Sequence, residues 1–132
     1  MEKQQALQLS ALSLAFLGDA EYTLFVRKKL IGTHDLKSGG LHFLASKYVC
    51  AKAQAKSYDV ISSQFSEEET ELAKRCRNAH NLSKAKNVGL ADYKKATALE
   101  GVIGYLSLVD YARAEEIMHK SMEVIEGELS NE

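Results

Sequence analysis

Two acidic side chains, Asp19 and Glu100, stand out because each lies in an otherwise apolar stretch. Asp19 follows the residues AFLG, and Glu100 lies within ATALEGVIGYL. An ionised carboxylate is costly to bury unless it is paired or binds a metal. Two such acids on two helices, each beside a small residue (Gly18 and Gly101), could meet in a cleft and hold a hard divalent cation through oxygen. The alternative is that each acid forms a buried salt bridge with a Lys or Arg.

A second feature is the basic segment 74–87, which contains five Lys and Arg residues and no acid. Tyr93, Lys94 and Lys95 follow closely. Lys, Arg, Asn and Ser suit contacts with phosphates and 2′-hydroxyls, which dominate the recognition of A-form RNA. The segment therefore indicates an RNA-binding surface. The alternative is a solvated basic face that balances the acidic turn 67–71.

The composition limits how nucleic acid could be bound. The chain has 132 residues, no Pro, no Trp and a net charge of −1, so it has no global attraction to a polyanion and needs a local basic patch. A chain of this length and composition is typical of one mostly helical domain.

Its two cysteines, Cys50 and Cys76, lack the spacing of a zinc site and are interpreted as reduced thiols. No stretch reaches the roughly 18 apolar residues that would span a membrane, so we expect a cytoplasmic protein without membrane contact.

The periodicity of apolar residues predicts about five helices in an all-α bundle. A capping box at Ser66 and Glu69 predicts the start of the third helix. The glycines predict a loop over 32–40, and polar residues predict another over 81–89. The predicted helices cover about 6–30, 41–62, 66–80, 91–109 and 111–126, in a single domain over 1–132.

Four motifs give the chain a resemblance to a known family. LAFLGDAEY (14–22) and TALEGVIGYLSL (97–108) resemble the two signatures of the ribonuclease III family. YVCAKAQA (48–55), RCRNA (75–79), the Lys86-Asn87 pair and the ATA run that follows Tyr93 are similar to the Mini-ribonuclease III branch. The resemblance covers about residues 7–120.

The resemblance implies a fold, an activity and partners. The fold would be the helical bundle of the ribonuclease III endonuclease domain, without a separate double-stranded-RNA-binding domain. The activity would be Mg²⁺-dependent cleavage of double-stranded RNA that leaves 5′-phosphate ends, with Mn²⁺ as a substitute metal. The protein would act as a homodimer on the precursor of large-subunit (23S) ribosomal RNA, with a ribosomal protein as a possible helper.

The resemblance also implies roles for individual residues. Asp19 and Glu100 would be the catalytic, metal-binding acids, and Phe16 would lie at the dimer interface. Ala15 and Thr97 stand where larger relatives carry two further acids, which leaves fewer protein ligands for the metal. Contacts with RNA are expected from Arg75, Arg77, Asn78, Lys84, Lys86 and Lys94.

Two other functions compete with this interpretation. One is a ribonuclease III-like dimer that binds double-stranded RNA without cutting it, against which the presence of Asp19 and Glu100 argues. The other is a helical dimerisation domain with no role in RNA, against which the basic segment argues. A salt-dependent shift of RNA in a gel separates the last from the first two.

Overall fold

Helices form nearly all of residues 1–79 and 89–131, the part of the chain that this computed structural model describes. The α-helices are α1 (Lys3–Leu7), α2 (Ala11–Thr33), α3 (Ser38–Val49), α4 (Ala51–Ile61), α5 (Glu67–Asn78), α6 (Leu90–Val109) and α7 (Tyr111–Ser130), with a 3₁₀ helix at Ser62–Gln64. No strand occurs in these two ranges, which confirms the all-α prediction. None of the described helices is long and apolar enough to cross a membrane.

Helix α6 lies at the centre of the bundle. It packs against α1, α2, α4, α5 and α7, with its most extensive contacts along α2. Its residues 101–106 are all buried, as are four of the five residues 96–100. A helix that is apolar on every side belongs in a core. Glu100 is therefore an acid on the central helix of the protein.

The predicted first helix, 6–30, is in fact two helices, α1 and α2. Helix α1 ends at Leu7, and Ser10 caps the start of α2 by accepting a hydrogen bond from the Ser13 amide at 3.0 Å. Arg75 of α5 donates to the carbonyls of Leu7 (2.9 Å) and Leu9. These bonds satisfy carbonyls that the helix end leaves unpaired, and they come from a residue 66 to 68 positions away.

The predicted second helix, 41–62, is also interrupted. Cys50 has an extended backbone (φ −66°, ψ 156°), which separates α3 from α4 without any Gly or Pro. Gly39 and Gly40, predicted to lie in a loop, belong to the first turn of α3. The loop predicted over 32–40 is therefore only residues 34–37, because the helices on both sides extend into it.

The last three predicted helices are confirmed, with small shifts at their ends. Helix α5 begins with the predicted capping box, in which the Glu69 amide donates to Ser66 Oγ (3.1 Å) and the Ser66 amide donates to Glu69 Oε1 (2.9 Å). Helix α5 ends at Asn78, and the region around His80 lies outside the described residues. Helix α6 matches its prediction closely, and α7 continues to Ser130, four residues beyond the predicted end.

Candidate active site

The backbones of α2 and α6 touch where the two helices cross. A Cβ atom placed on Gly18 would lie 1.7 Å from the carbonyl oxygen of Glu100. A Cβ atom placed on Gly104 would lie 1.9 Å from the carbonyl oxygen of Leu14 and 2.9 Å from the amide of Gly18. Only glycine permits so close an approach, because any side chain would occupy the space of the neighbouring backbone. The FLGD and EGVIG motifs thus meet at one crossing.

This crossing brings together the two acids predicted from the sequence. Asp19 adjoins Gly18, whose backbone contacts the Glu100 backbone directly. Glu100 is half-buried, whereas Asp19 is exposed on the surface of α2. Asp19 lies on the exposed side of α2 because Gly18, and not Asp19, faces α6. Its exposure also excludes the alternative of a buried salt bridge for Asp19.

The small residue beside Glu100 has a different role from the one beside Asp19. A Cβ atom on Gly101 would lie 2.3 Å from the sulfur of Cys76 in α5, so Gly101 allows α5 to pack against α6. Burial raises the pKa of the Cys76 thiol to about 11. The close contact also brings the carboxyl-terminal end of α5, with its basic residues, next to the residue that follows Glu100.

The predicted RNA-binding residues fall into four groups. Arg77 and Asn78 are exposed in the last turn of α5, and the Arg77 guanidinium lies over the Tyr58 ring at 5.9 Å from its centre. Lys94 is half-buried on α6, seven residues before Gly101 and hence on the side that faces α5. Arg75 instead donates to the N-terminal segment, a structural role that the sequence did not predict. Lys84 and Lys86 lie outside the described residues.

Ala15 and Thr97, the two positions where the resemblance implies that further acids are missing, are both buried. Ala15 is 7% exposed and Thr97 is 3% exposed. The Thr97 hydroxyl donates to the carbonyl of Tyr93 at 2.9 Å, within its own helix. Neither side chain offers a carboxylate, so of these four positions Asp19 and Glu100 are the two that carry an acid.

Gln54 of α4 is part of the site and was not predicted to be. Its side chain is 2% exposed, and its Nε2 donates to Glu100 Oε2 at 3.3 Å and to the carbonyl of Val49 at 2.9 Å. Its Oε1 is buried and has no hydrogen-bond partner among the described residues. A polar residue among the alanines of AKAQAK was the available signal, but only the tertiary structure brings it to Glu100.

The chemistry of these donors fits a hard cation with a large share of water ligands. Asp19 and Glu100 supply carboxylate oxygens, and the buried amide of Gln54 holds one of them in place. Within residues 1–79 and 89–131, no group of three or more His, Cys, Asp or Glu is arranged to bind a metal. Two carboxylates plus water suit Mg²⁺, which gives up its water ligands reluctantly and is commonly held by one or two carboxylates.

Phe16 lies on the outer face of α2, three residues before Asp19. It is 82% exposed, the largest exposed fraction among the large apolar side chains of the described chain. Leu12, Leu24 and Ile31 of the same helix are also exposed, at 41%, 49% and 65%. Phe16 is therefore not part of the hydrophobic core. Exposed apolar side chains of this size, grouped on one helix, are typical of a surface that another protein covers.

The chain is similar to known proteins in sequence and in fold. The ribonuclease III domain family matches residues 12–111. The Mini-ribonuclease 3 of Brevibacillus brevis is 45% identical over 118 residues, which cover 89% of this chain and 88% of that protein. The Mini-ribonuclease 3 of a Thermoanaerobacter species is 39% identical over 127 residues, which cover 96% and 89%.

A solved structure shares the fold. The crystal structure of a protein from Fusobacterium nucleatum superposes with a TM-score of 0.79 at 34% sequence identity, over 92% of this chain and 95% of that one. The family match spans both acids and the whole of the α2–α6 crossing. The chain therefore belongs to the ribonuclease III family, within its group of Mini-ribonuclease 3 proteins.

Proposed function

We propose that this ribonuclease III-type endoribonuclease cuts double-stranded RNA with Mg²⁺ held by Asp19 and Glu100, and that it works as a homodimer. The observation that carries the proposal is the backbone contact between Gly18 and Glu100, which holds two acids from distant parts of the sequence at one helix crossing. Because the contact is between backbones, it leaves little freedom for the two helices to shift against each other.

Each group in the site has a role in this reaction. When bound, Mg²⁺ (or Mn²⁺ as a substitute) supplies Lewis-acid chemistry, activating a water for attack and stabilising charge on the leaving oxygen. Asp19 reaches the site from the exposed surface of α2, where an RNA phosphate can approach. Glu100 reaches it from the central helix, with Gln54 holding its carboxylate. The RNA backbone would contact Arg77 and Asn78 at the end of α5 and Lys94 of α6, together with Lys84 and Lys86 of the same basic segment.

A second copy of the chain would cover Phe16 and the exposed apolar residues around it. A two-fold interface presents the same patch from each subunit, so Phe16 of each copy would be buried in the other. Asp19 is one helical turn from Phe16 on α2, so each active site would lie near the interface. Two sites related by this axis could cut both strands of one duplex.

The proposed natural substrate is the precursor of 23S ribosomal RNA in the cytoplasm, with a ribosomal protein as helper. This part of the proposal rests on membership of the Mini-ribonuclease 3 group. Deleting the gene should leave 23S ribosomal RNA with longer ends, as measured by primer extension. Expression of the Glu100→Gln protein in that strain should not restore the mature ends. Mature ends in the deletion strain would refute this substrate.

Cleavage of a labelled RNA duplex in Mg²⁺ and in EDTA tests the reaction itself. The wild-type protein should cut only in Mg²⁺, and Glu100→Gln should be slower by about 100-fold or more, since it keeps the shape but removes the charge that holds the metal. Glu71→Gln is the matched control, because Glu71 is an exposed acid in the amino-terminal half of α5. Intact RNA together with a gel shift would instead indicate a non-catalytic binding dimer.

The dimer has a separate test. Phe16→Lys should convert the dimer to a monomer in sedimentation equilibrium, because it places a charge in an apolar interface. Val60→Lys is the control, since Val60 is 55% exposed but lies on α4. A Phe16→Lys protein that remains dimeric would exclude this face as the interface.

A further inference from the structure

Gln54 lies where three helices meet. It occupies the second turn of α4, directly after the break at Cys50. Its amide donates one hydrogen bond to Val49, the last residue of α3, and another to Glu100 of α6. An amide nitrogen carries two hydrogens, so both are used. One side chain thereby links the end of α3 to the carboxylate of the candidate active site.

The orientation of this amide follows from its neighbours. Rotating the amide by 180° would point Oε1 at two oxygens, those of Val49 and Glu100, and would lose both hydrogen bonds. The orientation with Nε2 toward them leaves Oε1 buried without a partner among the described residues. An unsatisfied buried acceptor costs about 1–3 kcal/mol. A methionine of similar length would avoid that cost but could not donate to Glu100.

We infer that Gln54 is a positioning residue: it holds Glu100 Oε2 by a hydrogen bond, so that the carboxylate is correctly oriented for the metal. This inference rests on the proposed function. Groups that orient metal ligands in this way typically change metal affinity or activity by about 10- to 100-fold when removed. The competing explanation is that Gln54 serves only to cap α3 through Val49.

The experiment compares Gln54→Met with Ser57→Ala. Met keeps the length of the side chain and removes both donors. Ser57 is the matched control, because it lies on the same helix, is fully buried, and donates to the carbonyl of Ser121 at 3.0 Å, away from Glu100. Each variant is measured for urea unfolding, for Mn²⁺ affinity by electron paramagnetic resonance without RNA, and for kcat and KM on duplex RNA.

Gln54→Met should weaken Mn²⁺ binding about tenfold and lower kcat by about 10- to 100-fold, with KM for RNA little changed. Ser57→Ala should unfold at lower urea and keep the wild-type Mn²⁺ affinity and kcat. If Gln54→Met only loses stability, with Mn²⁺ affinity and kcat unchanged, Gln54 is a cap and the inference is overturned.

A second variant keeps the test decisive if Gln54→Met does not fold. Gln54→Asn keeps a polar amide but withdraws it by about 1.5 Å, which takes it out of hydrogen-bond distance of Glu100. A folded Gln54→Asn protein should also bind Mn²⁺ more weakly, and wild-type affinity would overturn the inference. Wild-type protein that neither binds Mn²⁺ nor cuts RNA would refute the proposed function as well. Wild-type activity with unaffected Gln54 variants refutes only the role of Gln54.

Discussion

Two acid clusters in this bundle differ in how completely they are hydrogen-bonded. In the first, the carboxylate of Glu69 receives two hydrogen bonds from Arg113 of α7 (2.9 and 3.0 Å) and one from the Ser66 amide (2.9 Å). Its side chain is 6% exposed. In the second, at the α2–α6 crossing, Asp19 is exposed and the buried Oε1 of Gln54 lacks a partner among the described residues.

The difference separates an acid that stabilises the fold from the two acids proposed to hold the metal. Burial alone would raise the pKa of Glu69, but the hydrogen bonds from Arg113 and from Ser66 outweigh it and lower the pKa below its ordinary value. Three of the roughly four lone-pair sites of this carboxylate are used, and the Arg113 guanidinium already balances its charge, so it is poorly suited to hold a metal. The crossing keeps an exposed carboxylate and tolerates an unsatisfied amide, which is typical of functional sites.

The largest expected effect comes from Gly18→Ala at the crossing. The added methyl group would meet the Glu100 backbone, so the helices must separate and the protein should lose about 3 kcal/mol or more of stability. Cleavage by the remaining folded protein should fall about 100-fold, because the two acids move apart. Urea unfolding and duplex cleavage measure both effects.

Gly127→Ala is the control for that substitution. Gly127 lies within α7 with nothing near the position of a Cβ atom, so alanine should stabilise the helix by up to about 1 kcal/mol. Wild-type stability of Gly18→Ala would contradict the close crossing.

In the cluster around Glu69, Arg113→Met should lower the stability of the protein but not its rate of RNA cleavage. It leaves the buried Glu69 carboxylate without its guanidinium and should cost about 3 kcal/mol of stability. The folded protein should cut RNA with wild-type kcat, because Arg113 does not contact the crossing. Lys120→Met, which removes a more exposed partner of Glu116, should cost less than about 1 kcal/mol. A fall in kcat for Arg113→Met would mean that the two clusters are coupled.

A smaller effect is expected from Gly101→Ala, where α5 meets α6. The new methyl group would press on the Cys76 sulfur, at a cost of about 1–3 kcal/mol. Adding Cys76→Gly removes the clashing atoms. The free energy of unfolding of the double variant should therefore be about 1 kcal/mol higher than the sum of the two single changes predicts. If the changes in unfolding free energy of the two single variants simply add in the double variant, the Cys76 sulfur accommodates the new methyl group without a loss of stability.

The smallest effect is a pH dependence of stability that originates in Glu69. Because its folded-state pKa is lowered, its contribution is complete above the ordinary value of 4.5 and is lost as the pH falls through the folded-state pKa. Wild-type protein should therefore lose more stability than Glu69→Gln between about pH 6 and pH 3. Parallel curves for the two proteins would show that Glu69 titrates normally in the folded state.

Local signals predicted much of the fold. The capping box located the start of α5, and the apolar run from Ala96 to Leu106 located the central helix. The breaks near Ser10 and at Cys50 were missed. The first is stabilised by Arg75, more than sixty residues away, and the second carries no Gly or Pro. Contacts over such separations leave no periodic pattern in the sequence.

The candidate site shows the same limit. The unusual context of Asp19 and Glu100 and the family signatures pointed to both acids. Whether Asp19 lies inside or outside depends on which face of α2 meets α6, and that is decided by the close approach at Gly18 and Gly104. Gln54 reaches Glu100 only through the packing of α4 on α6, 46 residues apart in sequence.

The two cysteines make the unmodified protein suitable for spectroscopy. Cys50 is exposed at the start of α4, one helical turn before Gln54, whereas Cys76 is buried against Gly101 with its pKa raised to about 11. A maleimide reagent at neutral pH should therefore attach a single probe, at Cys50, without any prior mutagenesis. A nitroxide there would mark one position in each subunit beside the candidate active site. In the proposed dimer, the distance between the two labels would report how far apart the two Cys50 positions lie.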